Sequence, residues 1–327
     1  MEIFVPQLLF KKYIDFNDQL TAGVDVGGQY ELIQKRKGII VQHLKFADNH
    51  NIVVDSGLKA FAASNDLGIN TFLNFCHLGT GTSTPISTDT TLQAKGHTKF
   101  KTSSGLVYFA VNEYGLQIVW EYGLSDAVGT WTEVGAGLND NTIVSRNLFR
   151  DFQGQPISVQ KTSDDTLTIK YNLRFKRVSD TPFSSVVNVD GIGNITVESI
   201  ISNYALSVLT DNGSLLNKTH NSALLGTNGR ELDPSRNGTP SQVLGTPINT
   251  NASLNQAKAY VTNAFYRDLV YEWPVSVVGT IREACIYTWY NSYAPYPQVF
   301  IRFVEGIPKD DTKKLRLDFR VSYNRTS

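Results

Sequence analysis

Two cysteines in 327 residues, Cys76 and Cys285, are too few for a disulfide framework or a zinc cluster. They stand at unrelated places in the chain and read as free core thiols. Charge is also scarce, at 18% of residues against about 25% in an ordinary soluble domain. What charge there is cancels, with 30 basic and 30 acidic residues. That balance leaves no electrostatic footprint for nucleic acid. A weakly charged, near-neutral surface instead favours association. No apolar run approaches the ~20 residues of a membrane span, so no membrane insertion is expected. Met1-Glu2-Ile3-Phe4 lacks the basic and apolar regions of a signal peptide, which predicts synthesis in a cytoplasm without export by its own signal.

The composition points to strands. There are 17 Phe, 15 Tyr, 25 Gly and a single Met, and hydrophobic residues reach 41%, enough to bury a sizeable core. Helical spacing is rare. Leu254, Ala257, Tyr260, Val261, Ala264 and Phe265 predict a helix over 253–268, and a shorter one is expected over 51–63.

The most informative pattern occurs twice. Asp164-Asp165-Thr166 leads into Leu167, Ile169, Tyr171, Leu173 and Phe175, closed by Arg177. Asp310-Asp311-Thr312 leads, after Lys313-Lys314, into Leu315, Leu317, Phe319, Val321 and Tyr323, closed by Arg325. Period-two apolar residues mean a half-buried strand, and the two-residue insertion preserves the inward parity. Weaker echoes accompany it, such as Leu78-Gly79-Thr80 against Leu225-Gly226-Thr227. These features predict an internal duplication: an N-terminal strand arm over 1–37, one β-sandwich-like domain over 38–180 and a second over 186–327. Residues 211–256, rich in Asn, Gly, Ser, Thr and Pro, read as a long polar loop in the second. Within the arm, Gly28 to Lys35 reads as a strand, with a basic turn at Lys35-Arg36-Lys37-Gly38.

Catalytic chemistry finds little support. The five histidines are dispersed, whereas zinc needs three or four converging ligands. Gly79-Thr80-Gly81-Thr82-Ser83 lacks the G-K-[ST] of a phosphate cradle. Adjacent aspartates at 164–165 and 310–311 point to opposite sides, unlike a glycosidase pair across a cleft, and suit turns shared by the two repeats. No enzymatic activity, cofactor or metal is expected.

Several motifs in the first half fall in a familiar order. They are Gly28, Tyr30 and Leu32; Phe46, Asn51, Ile52, Val53, Asp55, Gly57 and Leu58; Gly79 to Pro85; Glu133 to Gly137; Ser145 to Pro156; and Asp165 to Arg174. In this order and spacing the chain resembles a family of tailed-bacteriophage virion proteins described as tail, tail-fibre or minor structural components. The resemblance covers about 150 residues, and the second half joins it only through the duplication. It implies a virion protein made in the bacterial host cytoplasm.

The combined expectation is an all-β protein of two tandem β-sandwich-like domains with few short helices, acting as a structural subunit of a phage tail (fibre or tip attachment, collar or adaptor). Its partners would be further copies of itself and other virion proteins. A capsid decoration protein and a receptor- or carbohydrate-binding module, meeting a host-surface receptor, are the alternatives. Candidate interface residues are the apolar Ile3, Phe4, Leu8 and Leu9 of the arm, which could pair with a neighbour's sheet edge, and the aromatic cluster Trp289, Tyr290, Tyr293 and Tyr296.

Overall fold

The computed structural model describes residues 13–16, 19–46, 51–63, 73–110, 112–203, 221–236, 244, 247–248, 252, 254–288 and 296–325. Among these residues the chain is mostly strand, with one short helix at Asp55–Ala63. A single strand, Leu20–Arg36, organises it. Every second residue of this strand is buried, including Val24, Val26, Tyr30 and Leu32. Asp165–Arg177 pairs antiparallel along one side of it, over residues 24–36. Lys314–Arg325 pairs parallel on the other side, over residues 20–26, and Ile39–Lys45 completes that side over 31–36. The two repeated strands therefore flank one central strand within a nine-stranded sheet. The hairpin from the central strand to Ile39–Lys45 turns at Lys37 (φ 50°) and Gly38 (φ 83°), the paired positive φ of a two-residue turn that matches strand twist.

Residues 20–36 are thus not an arm that can leave for a neighbour, as both sides of the strand are already paired. Tyr13–Ile14 also pairs within the chain, against Lys314–Leu315. Alternation on a strand shows which face is buried but not whether its edges are taken.

A five-stranded sheet and a six-stranded sheet complete the main layers. One continuous hydrophobic cluster draws side chains from all three. In the first half, Tyr30 on the central strand reaches the five-stranded sheet: its hydroxyl lies 2.6 Å from Ser145 Oγ and accepts the Ala136 amide at 2.7 Å.

The helix expected over 253–268 is absent. Leu254–Ala257 and Tyr266–Trp273 are antiparallel strands, in register from Leu254 opposite Glu272 to Ala257 opposite Leu269. Lys258 N continues the ladder to Asp268 O, and the chain reverses at Asn263, with φ 68°. Apolar residues around a short turn imitate helical spacing when the strands on either side are brief. The shorter expected helix forms from Asp55, preceded by a two-residue strand, Ile52–Val53. Asp55 places a carboxylate in its first turn, where the helix dipole favours it.

The two halves carry matched wiring at several places. Gly129, Thr130 and Trp131 pair with Lys161, Gln160 and Val159. Gly279, Thr280 and Ile281 pair with Lys309, Pro308 and Ile307 in the same register. Gly79 lies opposite Glu133, and Gly226 opposite Glu283. A Cβ on Gly79 would sit 2.5 Å from Glu133 Oε1, and one on Gly226 2.6 Å from Glu283 Oε1, so both positions require glycine for close approach. The equivalence aligns Glu121-Tyr-Gly-Leu-Ser…Val-Gly-Thr130 with Glu272-Trp-Pro-Val-Ser…Val-Gly-Thr280. The loop is one residue shorter in the second copy, which hides the match from spacing arguments.

Candidate functional site

Three of the sequence motifs meet at one place. Glu133 opens strand Glu133–Asn139, and Arg146 lies on the adjacent strand Thr142–Leu148. Both are buried. Glu133 Oε1 accepts the amides of Gly81 (3.0 Å) and Ala94 (2.8 Å). Its Oε2 accepts the Gln93 amide at 3.2 Å and Arg146 Nε at 2.8 Å. Arg146 Nη1 continues to Asp89 Oδ2 at 2.7 Å, and Nη2 donates to Ser83 O and Oγ. Gln93 Oε1 accepts the amides of Thr82 and Ser83, both at 2.8 Å. The 80–94 loop is thereby stitched to the sheet at both ends and in the middle.

This arrangement satisfies buried charge by pairing and multiple hydrogen bonds. A carboxylate with four donors on its two oxygens holds backbone in place. His77 beside it is similar. Its Nε2 lies 3.1 Å from Asn139 O and its Nδ1 3.0 Å from Thr98 Oγ1, so Nε2 donates and Nδ1 accepts. Burial pushes its pKa below the ordinary histidine value and keeps the ring neutral. Among the described residues, no three His, Cys, Asp or Glu side chains converge as a metal-ligand set.

The aspartate turns do have turn roles, but not the same one. In the first, the second aspartate works: Asp165 is buried, binds Arg36 Nε at 2.8 Å and accepts the amide and hydroxyl of Thr162. In the second, the first aspartate works, with Asp310 Oδ1 accepting the amide and hydroxyl of Thr312. Identical sequence does not give an identical turn here: Arg36 on the neighbouring central strand pairs with Asp165, and among the described residues no arginine pairs with Asp310 or Asp311.

The candidate interface residues divide by position. Ile3, Phe4, Leu8, Leu9, Trp289, Tyr290 and Tyr293 lie outside the described residues, as does half of the segment 211–256; in the other half Asn221–Gly226 is a strand of the six-stranded sheet rather than loop. Tyr296 begins strand Tyr296–Lys309, opposite Thr288. Tyr287, two residues before Trp289, is buried in a small second core with Phe300 and Cys285.

Surface features that the sequence reading passed over are three strand edges. Ser103–Ala110 ends the nine-stranded sheet, Phe183–Val189 ends the six-stranded sheet, and Ile39–Lys45 pairs on one side only. Leu106, Tyr108, Phe183, Val186, Ile39, Ile40 and Val41 on them are exposed. Soluble proteins blunt such edges with charge, proline or bulges. Ser103–Ala110 and Phe183–Val189 contain neither a charged residue nor a proline; the first has a register shift between Tyr108 and Ala110, and the second is bridged at its end by Phe16 opposite Val189. The absence of charge in these segments was legible; that they are edges was not.

Comparison with known proteins returned no match to a family, a curated protein or a solved structure.

Proposed function

We propose that the protein is a structural subunit of a tailed-phage virion, most naturally a tail component, and that its mechanism is assembly. The observation that carries this reading is the pair of uncharged apolar strand edges, Ser103–Ala110 and Phe183–Val189. Each offers a row of backbone donors and acceptors with β-branched or aromatic side chains beside it. A neighbouring chain can add to such an edge, with main-chain hydrogen bonds supplying affinity and side chains supplying register. The rigidly stitched 80–94 loop and the doubled wiring fit a part selected for shape. The motif resemblance directs the reading to a virion rather than to some other assembly.

Light scattering coupled to size exclusion, followed by negative-stain microscopy of the main peak, tests it. A trimer, hexamer or larger ring supports a symmetric tail component, and the copy number separates fibre from collar. A monomer at every concentration contradicts it.

A further inference from the structure

Ser103–Ala110 is the outer strand of the nine-stranded sheet, and among the described residues no strand pairs with its free side. The other two edges differ from it. Phe183–Val189 is partly taken, because Phe16 bridges Val189, and Ile39–Lys45 carries His43 and Lys45. Ser103–Tyr108 pairs with Tyr114–Val119 without a break, and the register shift comes only after Tyr108. The run is a regular, open edge without charge.

Its core-facing side is also open. Residues directly opposite one another in an antiparallel sheet share a face. One row of such residues is Gly28, Leu173, Leu116 and Leu106, and the next is Val26, Phe175, Tyr114 and Tyr108. Leu173, Leu116, Val26 and Phe175 are buried in the core. Leu106 and Tyr108, at the ends of the two rows, are 56% and 59% exposed. The sheet therefore runs past the layer that covers it. The opposite side of the sheet is closed at this edge, where Phe109 packs over Gly115 and lies 4.8 Å from the Arg174 guanidinium.

A cover for this place must continue the ladder and shield the two exposed side chains beside it. A second copy of the same strand does both. About a two-fold axis perpendicular to the sheet, the strand meets its own copy antiparallel, and the core-facing sides of both copies stay on one side. Self-pairing brings like residues together, so charges of one sign on the strand would repel; Ser103–Tyr108 has none. The axis also sets core-facing residues opposite core-facing residues. A register centred on Leu106 keeps both exposed side chains inside the ladder, with Tyr108 opposite Ser104, whereas one centred on Gly105 leaves Tyr108 outside it. We propose that two copies of the chain pair antiparallel through Ser103–Tyr108 about a two-fold axis, with Leu106 opposite Leu106 of the second copy, so that two nine-stranded sheets become one. This contact rests on the assembly reading and gives it a symmetry: a closed assembly that contains it has an even number of copies.

The test uses the full chain in sedimentation velocity across a concentration series. Leu106→Lys and Leu106→Glu each set like charges face to face at the axis, at a solvent-exposed position. Each variant alone should lose at least tenfold in association constant. A one-to-one mixture of the two should recover association, because lysine then faces glutamate. Tyr108→Lys, which places a charge opposite Ser104, repeats the single-variant arm should substitution at 106 disturb folding. If wild type assembles and both variants at 106 assemble equally well, this contact is overturned and the assembly reading stands. A wild-type trimer, or any other odd copy number, has the same consequence. Loss in both variants without recovery in the mixture overturns the two-fold register. A wild-type chain that stays monomeric at every concentration overturns both.

Discussion

Lys161 and Lys309 hold equivalent places in the two repeats. Each is buried, each lies opposite a glycine (Gly129 or Gly279), and each ammonium donates to carbonyls of the loop that precedes that glycine. Lys161 Nζ reaches Gly123 O at 2.7 Å and Leu124 O at 3.0 Å, while Lys309 Nζ reaches Val277 O and Val275 O. Burial lowers the pKa of both. Replacing either with methionine keeps the aliphatic stem and strands the carbonyls. Lys161→Met and Lys309→Met should each cost about 1.5–3 kcal/mol, the range for a hydrogen bond to a charged group, in urea unfolding. Equal losses are expected if the repeats are energetically as well as geometrically alike.

The Glu133–Arg146 pair is buried, so removing one partner weakens the compensation of the other: Arg146 keeps Asp89, and Glu133 keeps the amides of Gly81, Gln93 and Ala94. Glu133→Gln and Arg146→Met should each lower stability by about 3–5 kcal/mol. The double variant should lose clearly less than the sum, because the residues form one network. Additive losses would show that the two side chains act independently.

Gly79 and Gly226 face the buried carboxylates of Glu133 and Glu283 closer than any Cβ can approach. Gly79→Ala and Gly226→Ala should destabilise by more than 1 kcal/mol, as overpacking does, read as lowered midpoints in thermal unfolding. Gly105, with no heavy atom within 4 Å of an added Cβ, is the control. Gly105→Ala should be neutral or slightly stabilising.

Asp165 provides a pH signature. The Arg36 guanidinium holds its carboxyl well below the usual carboxylate range, and Thr162 adds to the effect. A carboxylate whose folded pKa is depressed contributes stability that is full above its unfolded value of about 3.9. That contribution is lost as pH falls through the folded value. Asp165→Asn should therefore be less stable than wild type at pH 7, and the gap should close as pH falls below about 4. A gap that stays constant from pH 7 to pH 2.5 in urea titrations would contradict this role. Other depressed carboxylates, such as Asp310 beside Thr312, keep some acid sensitivity in the variant.

Both thiols are protected. Burial pushes Cys76 up to about 12 and raises Cys285 as well. Native protein at pH 8 should react with a thiol-directed dye only at the rate of unfolding, and denatured protein should release both equivalents at once. Fast labelling of the native chain would place a thiol at the surface.

The all-β character was legible because alternation in 167–177 and 315–325 survives any tertiary context that buries one face. The helix expected at 253–268 shows the limit of the same reasoning: two short strands and a turn place apolar residues where a helix would. The Glu133–Arg146 clasp was visible only as a set of motifs. Glu133 and Arg146 are thirteen positions apart, and nothing in that spacing says their strands are neighbours. The strand edges were hidden for a related reason, since pairing partners are set by the whole sheet. The repeated lysines lie three residues and one residue before their aspartate turns, an offset that masks their equivalence until the strands are paired.

The central claim is that the uncharged edges Ser103–Ala110 and Phe183–Val189 are covered by another chain in the functional state. Backbone hydrogen exchange on dilute and on assembled protein measures this directly. The account predicts that outward-facing amides of both strands exchange within seconds in the dilute chain and become protected by at least tenfold in the assembly. Unchanged exchange at both edges in an assembled particle would contradict it.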